Sequence, residues 1–514
     1  MVAGIDRRGL RRGAGFLGLA LTGFATASLA QTDDEVVTRQ YDDGGIYEGT
    51  FRDGVQHGEG TYTLPGGFEY TGEWQDGEIT GEGRATYPDG EIYEGDFVEG
   101  RPHGTGRITF TDGSTYEGDW VEGRMTGEGV QVYADEVRYE GGFEDGRPSG
   151  EGVLERPDGY RYEGGWVEGE KQGEATITYP DGAVFEGSVA AGKPEGSGRL
   201  TGPDGMVYEG DWAEGRIHGE GRLEEPDGDV YEGEFANGQR SGEGRVTYAD
   251  GSVYEGEFAD DTRHGEGEYR REDGFEYVGE WVEGRMEGAG RAVYPDGAVY
   301  EGGLRDGRAH GTGAITYPDG STYEGGWVDG IIEGRGRAEY ADGIVYEGDF
   351  ADGRAHGEGV MTYPDGSSYE GGWRAGERHG TGIAVFEDGS TYEGDFVEGV
   401  REGEGALATA RGFRYEGEWR GGEMHGQGVA FYPGGDIYEG SFRAGVRHGF
   451  GTLRYADGSE QSGIWEAGRL DDADAPAQPG APAPPDDPDA PETAAPEADT
   501  AAPDEAQSGE PDTD

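Results

Sequence analysis

A triplet of Tyr, Glu and Gly returns every 23 residues through most of this chain. It stands at Tyr47–Gly49, at Tyr93–Gly95 and, for the last time, at Tyr438–Gly440. No insertion or deletion breaks the spacing, so eighteen full units run from Tyr47 to Glu460. Self-similarity at a short fixed period is typical of a repeat array, in which each unit buries its apolar face against its neighbours.

The unit from Tyr93 to Thr115 predicts a β-hairpin. Tyr93, Gly95 and Phe97 alternate with acidic residues, and period-two alternation with aromatic residues indicates a half-buried strand. We expect the Gly-rich stretch around 100–104 to turn the chain, and a second strand to follow over about 106–110. An Asp-Gly turn at 111–114 then leads into the next unit.

Successive hairpins are expected to pair edge to edge. The predicted fold class is all-β: an elongated single antiparallel meander of tandem 23-residue β-hairpins, with disordered termini. Two strands per unit at a spacing of roughly 4.8 Å advance the sheet by about 10 Å per repeat. The sequence leaves open whether the sheet remains an open ribbon or curls into a closed solenoid.

The fifth position of the unit carries an aromatic stripe. Phe and Trp largely alternate there, as in Phe97 and Phe143, whereas Val189 and Leu304 are exceptions. We interpret the stripe as structural core packing, and the alternative is a row of rings that stacks on carbohydrate. All nine Trp occupy this position: Trp74, Trp120, Trp166, Trp212, Trp281, Trp327, Trp373, Trp419 and Trp465.

The repeated pattern resembles the MORN (membrane occupation and recognition nexus) repeat. Its core is Tyr-Glu-Gly-x-Trp/Phe followed by Gly and then by His-Gly-x-Gly, as at Tyr369–Gly382 and Tyr415–Gly428. The resemblance implies an elongated β-hairpin array that is often a scaffold, sometimes dimeric and repeatedly linked with membranes. Local departures are Phe185 for the first Tyr, Ala175 and Asp261 for Gly, and Val189 for the aromatic residue.

The two ends differ from the array. Residues 1–30 combine Arg7, Arg8, Arg11 and Arg12 with an apolar run and a small-residue cleavage site, which is typical of a signal peptide. An uncleaved anchor is the alternative, and Sec or twin-arginine export stays open. Residues 31–46 form a short lead-in with a partial repeat, and the eighteen repeats follow over 47–460.

The C-terminal end comprises a partial terminal repeat at 461–470 and an acidic tail rich in Pro and Ala at 471–514. That tail has no aromatic and no basic residue. Such a segment cannot bury enough surface to offset chain entropy, so it is predicted to be disordered.

The formal net charge of −68 narrows the choice of partners. Nucleic acid is excluded, because its binding depends on basic residues that neutralise phosphates. Membrane association is disfavoured for the same electrostatic reason. There is no Cys, so a disulfide or thiolate chemistry is excluded.

Histidine and acidic residues are repeated rather than clustered. All nine His take the eleventh position, among them the adjacent-unit pairs His356/His379 and His425/His448, which could at most capture a metal weakly. Glu94 and its equivalents recur at the second position as a solvated row. Arg101 and its equivalents recur at the ninth position, which we place in the hairpin loop beside acids such as Glu99. We therefore predict no catalytic residue, no cofactor and no metal site, with weak Ca²⁺ or Mg²⁺ binding left open.

These features predict a non-enzymatic scaffold or protein-interaction protein that is exported to the periplasm or the medium. Its partner is a protein of unknown identity, and a homodimer is included because terminal strands invite pairing. The alternative is an envelope-binding module for lipid or glycan, bridged by divalent cations.

Overall fold

The computed structural model describes residues 35–471. The predicted signal peptide at 1–30 lies outside the described residues, as does all but the first residue of the predicted tail. Every regular element in the described range is a β-strand, and none of its segments is a helix that could cross a membrane. The chain divides into two compact units, one that ends at Gln239 and one that begins at Arg240.

The first unit holds these strands: β1 Val37–Gln40, β2 Ile46–Arg52, β3 Val55–Thr63, β4 Glu69–Gln75, β5 Glu78–Thr86, β6 Ile92–Val98, β7 Arg101–Thr109, β8 Thr115–Val121, β9 Arg124–Val132, β10 Arg138–Glu144, β11 Arg147–Glu155, β12 Arg161–Val167, β13 Glu170–Thr178, β14 Val184–Ala190, β15 Lys193–Thr201, β16 Val207–Ala213, β17 Arg216–Glu224 and β18 Val230–Ala236.

The second unit, together with Gln239, holds the others: β19 Gln239–Thr247, β20 Val253–Ala259, β21 Thr262–Arg270, β22 Glu276–Val282, β23 Arg285–Val293, β24 Val299–Arg305, β25 Arg308–Thr316, β26 Thr322–Val328, β27 Ile331–Glu339, β28 Val345–Ala351, β29 Arg354–Thr362, β30 Ser368–Arg374, β31 Glu377–Val385, β32 Thr391–Val397, β33 Val400–Ala408, β34 Arg414–Arg420, β35 Glu423–Phe431, β36 Ile437–Arg443, β37 Val446–Arg454, β38 Glu460–Glu466 and β39 Arg469–Leu470.

Strands of 7 and 9 residues alternate along both units, apart from the short terminal strands β1 and β39. In the first unit β6 pairs antiparallel with β7, and β7 pairs antiparallel with β8. In the second unit β28 pairs with β29, and β29 pairs with β30, in the same way. The pairs join strands that are neighbours in the chain, so the sheet is open. The predicted all-β meander of 23-residue hairpins is confirmed.

The hairpin turn lies earlier in the unit than the sequence predicted. Glu99 and Gly100 form a two-residue turn with φ angles of 51° and 72°, which is the type I′ geometry that matches the twist of the strands. The second strand therefore begins at Arg101, and not near residue 106. Gly104 does not turn the chain. Its φ of 62° is accommodated inside β7, where the register with β6 shifts between Gly95 and Phe97 as a β-bulge.

A five-residue loop, 110–114 between β7 and β8, joins one unit to the next. The amide of Gly113 donates to the carbonyl of Phe110 at 3.0 Å, and the Asp112 carboxylate accepts from the amide of Ser114 at 2.9 Å. Gly113 has a φ of 88°, a left-handed conformation that suits glycine. One unit places Glu136 at the equivalent position, with a φ of 66°. That side chain imposes local strain which the sequence analysis missed.

Replacing Glu136 with Gly is expected to stabilise the loop by about 1 kcal/mol, because it removes the left-handed strain of a residue with a side chain. Hydrogen exchange of amides in β9 and β10 measures this locally, which suits an array that opens in parts. The matched control is Gly113→Glu, which adds the same side chain where a Cβ meets nothing within 4 Å. We expect slower exchange in Glu136→Gly and faster exchange in β7 and β8 of the control. Unchanged exchange in both would contradict the argument.

Candidate interaction surface

In all but one full unit the first residue lies flat over two glycines; the unit of Tyr162 has Ala175 in place of one of them. Gly95 and Gly106 face each other across β6 and β7, and a Cβ on Gly106 would stand only 2.4 Å from the Tyr93 ring. The ring is fully buried, and its hydroxyl donates to the carbonyl of Asp96 at the bulge, at 3.0 Å. Burial raises the pKa of Tyr93 well above its ordinary value, so the hydroxyl remains a donor at neutral pH.

The aromatic residues of neighbouring units form edge-to-face chains, which are interrupted where Val189 and Leu304 replace the ring. The Tyr93 ring lies 5.0 Å from Phe97 and 5.1 Å from Trp120, and Tyr116 lies 5.4 Å from Trp120. The Trp120 indole also donates to the carbonyl of Gly106 in the preceding unit, at 3.0 Å. All nine Trp are buried, with no more than 8% of their surface exposed. Because the indole rings are buried, they are not available to stack on a sugar.

The unit that begins with Phe185 tests the hydroxyl contact. Phe185 is fully buried and packs 5.1 Å from Trp212, but it has no hydroxyl to donate. We expect Phe185→Tyr to stabilise β14 and β15 by about 1 kcal/mol, the usual net gain from one hydrogen bond. The measurement is local hydrogen exchange.

The matched control is Tyr208→Phe, which removes the 2.9 Å bond from the Tyr208 hydroxyl to the carbonyl of Asp211. It should destabilise β16 and β17 by a similar amount. If both variants exchange like the wild type, the hydroxyl contributes nothing to the unit.

Half-buried arginines that stack on the rings were missed by the sequence analysis. At the tenth position of four units in the second half, an Arg reaches the next unit: the guanidinium of Arg401 lies 4.4 Å from the Trp419 ring and donates to the carbonyl of Gly422 at 2.8 Å. Arg447 does the same with Trp465 and Gly468. Burial lowers the pKa of Arg401. The available signal was the tenth position itself, which faces the rings and otherwise holds mostly apolar residues.

Histidine has a repeated structural contact. The Nδ1 atom of His356 accepts from the amide of Ala375, in the turn of the next unit, at 3.5 Å, and His310 makes the same contact with Asp329 at 3.4 Å. Where the eleventh position is Glu, the contact is shorter: the amide of Gly421 lies 2.7 Å from the Glu402 carboxylate. In these units the position therefore supplies an acceptor that caps the next hairpin turn, whereas the Nδ1 atom of His379 has no hydrogen-bond partner among the described residues.

Exchanging His356 for Glu and for Ala separates this capping role from mere packing. The Glu variant keeps the acceptor and gains a charge-assisted bond like that of Glu402, so it should be about 1 kcal/mol more stable than the Ala variant. Local exchange of the amides in β30 and β31 reads out the difference. Equal exchange in the two variants would rule out capping.

Ninth-position arginines lie at the start of the second strand of each hairpin, and not in the loop as predicted, because the turn takes only two residues. They do pair with turn acids. Arg124 reaches Asp145 of the next unit at 2.8 Å, and Arg285 reaches Asp306 at 3.1 Å. The two arginines and their two acidic partners are all at least half exposed. Each ion pair therefore contributes little to stability.

The face opposite the rings is polar and exposed. Second-position acids such as Glu94 and Glu301 lie on it, and each is paired with a fifteenth-position Arg of the preceding unit, Arg84 or Arg291, at 3.1 Å. In the second unit this face has a shallow, open depression with both charges, lined by Glu301, Glu324, Arg335, Arg337 and Glu347.

Neither face assembles a metal centre within residues 35–471, where no three His, Asp or Glu converge in a way that could hold an ion. The imidazole of His356 is already engaged with the next turn. What the array offers along its polar face is therefore a broad surface of alternating charge.

Fold and surface together define a tandem β-hairpin repeat protein with one buried aromatic face and one polar face. The MORN repeat family matches eighteen consecutive segments of the chain, from 47–68 to 438–460. The chain therefore belongs to the MORN repeat family. Among curated proteins, none matches it.

Solved structures share only limited likeness with the chain. One is the SAS-4 (dCPAP) TCP domain of Drosophila melanogaster in complex with a proline-rich motif of Ana2 (dSTIL). It is 17% identical to this chain, and the match covers 31% of this chain and 89% of that domain, with a TM-score of 0.21. Another is the TCP10 domain of Danio rerio CPAP in complex with a STIL peptide. It is 14% identical, and the match covers 52% of this chain and 93% of that domain, with a TM-score of 0.16. Likeness at this level carries no functional argument.

Proposed function

We propose that this protein is a non-enzymatic, extracytoplasmic scaffold that binds protein partners and pairs with a second copy of itself at the C-terminal edge of its sheet. Membership of the MORN repeat family supports an interaction role. The basic and apolar N-terminal segment supports export. The observation that carries the proposal is a change of surface chemistry at the last strands.

Two apolar side chains stand on the polar face at this edge. Phe450 and Ile464 are 64% and 54% exposed, and they are direct partners across β37 and β38. They occupy the thirteenth and fourth positions, which hold polar residues, Gly or Ala in every other full unit. The second position beside them is Ser462 in place of Glu. The edge thus gains an apolar pair and loses a negative charge.

The outer side of β38 is also incompletely paired. β39 pairs only with Trp465 and Glu466, and the amide of Asp471 just after it donates to the carbonyl of Ile464. The stretch from Glu460 to Gly463 therefore has no outer strand partner within residues 35–471. An exposed strand edge is a template for another strand. A second copy fits this edge because a two-fold axis would bring the same apolar pair and the same uncharged serine together.

Light scattering of the full chain at micromolar concentration tests the pairing. We expect the wild type at twice the monomer mass and the double variant Phe450→Glu/Ile464→Glu at the monomer mass, because like charges would face each other across the axis. The control is Val98→Glu/Val121→Glu, which changes two exposed apolar residues at hairpin turns (46% and 45% exposed) and should leave the dimer intact. Circular dichroism checks that each variant is folded.

If the Phe450→Glu/Ile464→Glu variant is still a dimer, the two copies pair at another surface. A monomeric wild type that sediments with anionic vesicles only in the presence of Ca²⁺ would replace the scaffold with the alternative function, an envelope-binding module bridged by divalent cations. The exposed row of second-position acids is the feature that favours that alternative.

A further inference from the structure

One unit has a lysine where others place an arginine or an apolar residue against the rings. Lys171 takes the tenth position on β13, and its aliphatic stem packs near Gly192 in the turn of the next unit. The chain has only one other lysine, Lys193. In equivalent units Arg263 and Arg378 send a guanidinium to the next turn carbonyl. The Lys171 ammonium instead turns back toward rings of its own unit and toward Tyr160, at the end of the preceding unit.

Three rings surround the Lys171 nitrogen. Nζ lies 4.5 Å from the centre of the Tyr160 ring, 4.6 Å from that of Tyr162 and 5.6 Å from that of Trp166. It donates to the Tyr160 hydroxyl at 2.9 Å. Tyr160 is itself a departure, because the twenty-second position holds Ser, Ala or another non-tyrosine residue in the other units. Two unusual residues therefore meet at one point.

The groups that face this amine do not compensate its charge. Its one polar partner is a phenol whose pKa burial raises to about 12, so it is neutral at pH 7. The Arg156 guanidinium stacks 4.6 Å from the same ring, adding a second positive charge. The nearby acids Glu155 and Glu163 pair with Arg161. Desolvation, reinforced by Arg156, lowers the pKa of Lys171 to about 7.

Other titratable groups on the packed elements leave this balance unchanged. Glu151 on β11 raises the pKa of Tyr162, and Tyr179, just after β13, raises the pKa of Tyr160. Neither of them contributes to the shift in the pKa of Lys171. Glu170, next to Lys171 in the chain, is exposed to solvent. Lys171 is itself half-buried, so part of its side chain meets solvent.

We propose that Lys171 is a nucleophilic amine at neutral pH and a site of covalent acylation by small activated acyl donors, such as acyl phosphates. The nitrogen lone pair attacks the carbonyl carbon and forms the C–N bond. The C–O bond to phosphate breaks, the phosphate leaves with the electron pair, and the displaced amine proton passes to solvent. No oxidant or reductant is required. The amide product cannot carry a positive charge beside Arg156. It retains an N–H that can donate to the Tyr160 hydroxyl.

Acetyl phosphate is the probe, applied to the full chain between pH 6 and pH 9, with residue-resolved mass spectrometry of the acetylated lysines. Because an ordinary lysine is only about 0.04% deprotonated at pH 7, Lys171 should react about tenfold or more faster than Lys193 there, even after its lower basicity is counted. The rate at Lys171 should reach half its maximum near pH 7. Protonation should suppress it below that pH.

Tyr160→Ser is the decisive variant, because Ser is common at this position and the change opens the cage to water. It should raise the pKa of Lys171, since desolvation is the main cause of its lowered value. The acetylation rate of Lys171 at pH 7 should then fall to within about threefold of the rate of Lys193. Lys171→Met, which introduces the residue that Met125 supplies at the same position of another unit, should abolish the signal. Wild-type Lys171 reacting no faster than Lys193, or a rate unchanged in Tyr160→Ser, overturns the proposal.

Discussion

The packing of a tyrosine ring onto two facing glycines is the contact on which the rest of the structure depends. A Cβ at Gly95 would meet the Gly106 backbone at 2.4 Å, and one at Gly106 would overlap the Tyr93 ring. The ring can therefore lie close to the backbone and reach the bulge carbonyl with its hydroxyl. The next Trp or Phe then packs edge-on against it, so one local contact sets the spacing of the whole aromatic chain.

The hairpins, their 23-residue period and the alternation from Tyr93 to Phe97 could be predicted because each depends on local pattern. The start of β7 could not. A glycine pair around Gly104 is usually a turn signal, and only pairing across the strands shows that Gly104 belongs to a bulge. The acceptor role of His356 and the stacking of Arg401 were also missed, because both involve a residue of the following unit.

The polar face explains how the sheet carries so many acids. At about 10 Å between equivalent residues, second-position glutamates stand roughly one Debye length apart at physiological salt, so much of their repulsion is screened. Fifteenth-position arginines offset part of the remainder, as Arg84 does for Glu94. A surface of this kind stays soluble without closing a pocket, which is the chemistry expected of a scaffold.

The Trp120 indole bonds to a carbonyl one unit earlier, and Arg401 bonds to a carbonyl one unit later. Along each compact unit the backbone pairing between neighbouring repeats is the same, and these side-chain bonds are added only where a repeat carries Trp at its fifth position or Arg at its tenth. Duplicating or deleting two consecutive 23-residue segments inside a stretch where Trp and Phe alternate would recreate both the strand pairing and the order of the rings at the new junction. Gene-level changes in repeat number are therefore tolerated by the geometry itself, and proteins of this architecture can change in length while their packing stays the same.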